Sequence, residues 1–117
     1  MTAFHQSARV ETLLWTAQRA SAAVLAVCVA VHLATIIYAV RGGLTAAEIL
    51  ERTRGSKLWM LFYVIFVLAV AVHAPIGLRA ILREMTAWRG ASLDAAMAFA
   101  GMLLIVFGWR AVGGLVG

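Results

Sequence analysis

Apolar residues along this chain fall into three long runs, at about 15–40, 58–78 and 93–115, separated by short polar stretches. Each run reaches the roughly 20 residues that a helix needs to cross about 30 Å of hydrocarbon. No run alternates as a strand would, and only helices or closed barrels satisfy their backbone groups in lipid. The pattern therefore predicts an all-α integral membrane fold with three transmembrane helices. Residues 1–12 carry His5, Arg9 and Glu11 and contain no apolar core, so they do not read as a cleaved signal sequence. The first run is expected to remain as a membrane span.

The polar stretches add detail. Arg41-Gly42-Gly43 suits the end of the first helix. Thr45 followed three residues later by Glu48 has capping-box spacing, which predicts a short interfacial helix over about 45–54. A basic connector with Arg79, Arg83, Glu84 and Arg89 is expected between the second and third spans, with Ser92 capping the third.

Composition agrees with the pattern. Of 117 residues, 64% are hydrophobic and 13% charged, too apolar for a soluble domain of this size and room for one domain, 1–117. The net charge of +5 points to lipid headgroups or partner subunits rather than nucleic acid. Basic residues divide evenly: Arg9, Arg19, Arg79, Arg83 and Arg89 on one side, and Arg41, Arg52, Arg54, Lys57 and Arg110 on the other. The positive-inside rule thus gives no orientation. Cys28 is the single cysteine, so the chain can form no internal disulfide or cysteine cluster.

Candidate chemistry rests on two histidines within the spans, His32 and His73. Ionisable residues at membrane depth usually face protein, water or a cofactor, and imidazole is a common haem ligand. A hydrogen bond to a neighbouring helix is the plainer reading for either one. Gly77 lies one turn after His73, where a flat macrocycle would need a small residue, and Arg79 and Arg83 follow where propionates could be met or where headgroups attract snorkelling arginines. Arg19 begins a helical stripe with Ala23, Ala26 and Ala30 that suits close approach of a helix or cofactor, or ordinary packing.

Two segments resemble the cytochrome b membrane-anchor subunit of succinate dehydrogenases and fumarate reductases. Gln18-Arg19-Ala20-Ser21 is similar to that family's His-Arg-x-Ser segment, and His73-Ala74-Pro75-Ile76-Gly77-Leu78-Arg79 to its His-x-x-x-Gly-Ile/Leu-Arg segment. The resemblance implies that His73 is an axial ligand of haem b and that Arg19 lies near the haem propionates and a quinone pocket, with Ser21 at the serine of the motif. It implies a non-catalytic subunit whose partners carry flavin and iron–sulfur clusters, in a bacterial inner membrane. The family's usual quinone-contacting serine is replaced by Trp15, and Gln18 stands where histidine is common.

His32 has no counterpart in the single-haem pattern. Measured from the span centres near Cys28 and Leu68, His32 and His73 lie on opposite sides of the midplane, roughly 13 Å apart in depth. They cannot share one iron within one chain. Either His32 serves a second haem or it is structural. The third span has no histidine, so each second axial ligand must come from another anchor subunit or a second copy. Two other functions are weighed. A small proton-coupled transporter needs a membrane-embedded carboxylate, but Glu11, Glu48, Glu51, Glu84 and Asp94 all lie outside or at the ends of the spans. A cofactor-free assembly subunit would show no haem absorbance.

Overall fold

In the computed structural model, which describes residues 2–117 with side chains from Ser7 onward, four helices follow one another. They are α1 (Thr2–Arg41), α2 (Ala46–Thr53), α3 (Lys57–Met85) and α4 (Ala91–Val116). Three are long and apolar enough to cross a membrane: α1 over Ser7–Arg41, α3 and α4. His5 lies outside the described side chains.

The helices overrun the apolar segments that announce them. α1 continues through Glu11 and Arg9, and α3 continues through Arg79 and Arg83 to Met85. Nothing in these polar turns breaks a helix, so they extend it beyond the hydrocarbon. The expected basic connector is therefore mostly helix, and the true link covers residues 86–90. Ser92 does not cap α4. The helix starts at Gly90, whose φ of 87° is open to glycine, and no side chain caps it. Ser92 instead accepts a hydrogen bond from Trp88 Nε1 at 2.8 Å.

The short helix forms as its sequence predicts. Thr45 accepts from the Glu48 N–H, and Glu48 accepts from the Thr45 N–H. Its end is pinned to α4: Thr53 Oγ1 donates to the Leu115 carbonyl at 2.7 Å, and the Gly55 N–H donates to the Val116 carbonyl at 2.9 Å. Two carbonyls that the end of α4 leaves unpaired are thereby satisfied.

α3 is the central helix. It packs on α1 along one side and on α4 along the other, while α1 and α4 hardly touch. On α1 the sheltered positions 14, 18, 21, 25, 28, 32, 35 and 39 follow alternating steps of four and three, flanked by Ala17 and Ala22. That is a 3.5-residue repeat, the seam of a left-handed helix pair. The Arg19, Ala23, Ala26 and Ala30 stripe is exposed and points away from this seam. On α4, Gly101 and Gly108 admit α3 closely. A methyl on Gly101 would lie 3.4 Å from both the Ala71 carbonyl oxygen and Pro75. Pro75 has no N–H to offer the carbonyl four residues back, so the Ala71 oxygen is left facing the bare glycine.

Candidate functional site: a histidine on the α1–α3 seam

The seam brings Ser21 of α1 to His73 of α3. Ser21 is buried, and His73 is half-buried. The Ser21 hydroxyl donates its proton to the Gln18 carbonyl at 3.0 Å. Oγ also lies 3.4 Å from His73 Nδ1, so the serine engages one nitrogen of the imidazole. Nδ1 is thus occupied by Ser21, while Nε2 has no hydrogen-bond partner among the described residues. This is the arrangement in which an imidazole is oriented by one nitrogen and ligates through the other.

Gly77 lies beside the same seam, but the space it leaves is filled. A methyl there would meet Gln18 Nε2 at 3.1 Å. The other end of that amide, Gln18 Oε1, is buried without a hydrogen-bond partner. A buried orphan acceptor costs about 1–3 kcal/mol, so it marks a place suited to a donor. Gln18 also lines a cavity of about 690 Å³ whose wall carries four arginines, Arg19, Arg79, Arg83 and Arg89, against two glutamates, Glu11 and Glu84.

Most of those arginines are already engaged. Arg79 Nε donates to Asp94 at 2.8 Å and its Nη2 to Glu11 at 3.1 Å, while Arg83 donates to Glu11 at 3.0 Å. One guanidinium therefore clamps α1, α3 and α4 at this end. Arg89 caps the carbonyls of Thr86, Trp88 and Arg83. Arg19 has no carboxylate within 4 Å among the described residues and rests over the Trp15 ring at 4.9 Å. Arg79→Gln is expected to cost about 1 kcal/mol per ion pair lost, as for partly exposed pairs. Thermal unfolding in detergent at low and high salt measures it, and a midpoint insensitive to both salt and the substitution would contradict the clamp.

His32 faces the same seam at another level. Its Nδ1 lies 3.1 Å from Tyr63 Oη, and its ring meets Tyr63 and Phe66 edge-on at 5.7 and 5.5 Å. Tyr63 can donate or accept, so this contact does not fix which His32 nitrogen is free. Tyr63 and His73 are ten residues apart on α3, roughly 15 Å along its axis. The two imidazoles are therefore as separated as the depth reading requires. His32 borders a second cavity of about 740 Å³ beneath α2.

Ser21, His73 and Gly77 are thus brought together, Arg19 and Arg79 share the neighbouring cavity, and His32 stands apart. Three participants escape a residue-by-residue reading of the sequence: Gln18 as a buried acceptor, Tyr63 as the partner of His32, and Glu11 as the counter-ion of Arg79. On α1 a signal does exist, since residues 11, 18, 21 and 32 all fall on the 3.5-residue seam.

A family model described as succinate dehydrogenase/fumarate reductase transmembrane subunit matches residues 3–108. No curated protein and no solved structure matches the chain.

Proposed function

The chain belongs to the succinate dehydrogenase/fumarate reductase transmembrane subunit family, and from that premise we propose that it is the haem b anchor of such a complex, with His73 as one axial ligand. The observation that carries this reading is the Ser21–His73 contact, which leaves Nε2 as the free nitrogen. Haem bound there would supply single-electron transfer between an iron–sulfur partner and quinone.

The residues present fit half of such a site. His73 offers one imidazole, and α4 has no histidine to offer a second. The other axial ligand comes from a second anchor subunit or a second copy. Gly77 keeps α3 free of a side chain beside the imidazole, and Gln18 is the group that shares that space. Arg19, unpaired beside the arginine-rich cavity, is the cation for haem propionates or a quinone headgroup. Gln18, which lines the same cavity, offers its amide to a quinol headgroup. Arg79 acts by clamping the three helices around this end. Dicarboxylate chemistry belongs to flavoprotein and iron–sulfur partners, and the bacterial inner membrane is the proposed location.

His32 is read as structural, because Tyr63 and Phe66 pack edge-on against its ring and it lies away from the arginine-lined cavity. One haem per anchor site follows. Purifying the complex through this chain is expected to bring the soluble partners with it. It should also show a Soret band and sharp reduced bands. A complex without haem would refute the proposal. His32→Ala is expected to leave the haem-to-protein ratio unchanged, and a halved ratio would restore the two-haem reading.

A further inference from the structure

The cavity beneath α2 has features that haem ligation at His73 does not use. Along α1 its wall runs from Val31 to Ala39, roughly 12 Å of helix. It opens sideways because α1 and α4 hardly touch. Its polar wall groups are paired with protein: Thr53 with the Leu115 carbonyl, Thr35 with the His32 carbonyl, and His32 with Tyr63. What remains for a guest is hydrocarbon surface.

The rim is different. Arg52, on the interfacial helix, donates one N–H to Tyr38 Oη at 3.2 Å and lies 5.8 Å from the Tyr38 ring centre. No carboxylate comes within 4 Å of it among the described residues, in contrast to Arg79 and Arg83. Glu48, the acid one turn away, is occupied in the capping box. A guanidinium carries five donors, so most of those on Arg52 are unspent. Arg54 and Lys57 follow in sequence and make this end of the chain basic.

We infer that this cavity seats an acyl chain of an anionic phospholipid, with the phosphate held by Arg52. The occupant follows from the combination. An apolar cavity beginning at the interface suits an acyl chain, and a guanidinium at its rim without a carboxylate partner among the described residues selects a negative headgroup. A transmembrane helix of a partner would run into α2, which lines the cavity through Ile49 and Thr53, and into Leu44 just before it. A lipid ends where α2 begins.

The purified complex, exchanged into nanodiscs of mixed phosphatidylglycerol and phosphatidylcholine and then washed with mild detergent, tests this by lipid extraction and native mass spectrometry. Phosphatidylglycerol is expected to be retained preferentially. Arg52→Gln should lower its retention about fivefold, the factor one basic residue near an anionic surface contributes. Arg52→Lys should keep most of it. Ala111→Phe fills the cavity and leaves Arg52 in place, and it should also expel the lipid. Equal retention of both lipids would overturn the inference. So would retention unaffected by Ala111→Phe, or a quinone recovered in the lipid's place. The Soret band is expected to be unchanged in all three variants, so this result stands or falls separately from the haem at His73.

Discussion

Replacing His73 by alanine is expected to abolish haem binding by the complex while the subunits still assemble. His73 is the seam imidazole at the level of Gly77 and Gln18, and its Nε2 has no hydrogen-bond partner among the described residues. Ser21 occupies Nδ1 and is itself held by its contact with the Gln18 carbonyl. Ser21→Ala removes that constraint without removing the ligand. Loss of such an outer partner typically lowers affinity 10–100-fold, so a weaker haem complement and a shifted reduction potential are expected. The pair of variants separates ligand from positioning residue. A merely structural His73 predicts the opposite pattern, with unfolding in both variants and no spectroscopic change in the assembled fraction. Full haem occupancy in His73→Ala would sink the assignment. Size-exclusion chromatography of each complex shows whether haem loss reflects the ligand or a failure to assemble.

The fold was legible because membrane solvation leaves few choices. Three apolar runs long enough to span could only become three helices, and Thr45 with Glu48 announced α2 through a local hydrogen-bond pair. Helix ends were harder to read. Apolar length marks where hydrocarbon stops, whereas a helix continues until its backbone is interrupted, and Arg79 and Arg83 interrupt nothing. The site was legible as separate residues and not as pairs. His73 and Gly77 could be singled out by type and spacing and Ser21 through the family motif, but the meeting of Ser21 with His73 depends on how α1 is rotated against α3. Read at 3.5 residues per turn, the polar positions Glu11, Gln18, Ser21, His32 and Thr35 form one line on α1. A reading by the stripe from Arg19 through Ala23 and Ala26 turns the same helix the other way, and that stripe is exposed.

A methyl group added at Gly108 is expected to be among the most damaging small changes in this chain. A Cβ there would collide with Val67 Cγ1 and come 2.8 Å from Cγ2 and 3.1 Å from Cβ. Distances this short forbid the packing as it stands. Val67 cannot swing clear, because a β-branched residue in a helix has one strongly preferred rotamer, and its Cβ is itself in the way. The backbones of α3 and α4 must separate. Overpacking of this kind costs about 1–3 kcal/mol, and within lipid the helices have little besides close packing to draw them back together. Gly108→Ala should therefore lower the unfolding midpoint in detergent clearly, and Gly108→Leu more so. Gly113→Ala supplies the control on the same helix, since a methyl there meets nothing within 4 Å. It should leave the midpoint unchanged or raise it slightly, alanine being the better helix former. The decisive variant is the double one. Val67→Ala opens the space that Gly108→Ala fills, so the two together should be less damaging than the sum of their separate costs, with a coupling of about 0.5–3 kcal/mol. If Gly108→Ala behaves like Gly113→Ala, or if the double variant shows strict additivity, then α3 and α4 do not meet at this glycine. The packing that positions α3 against both of its neighbours would then have to be redrawn.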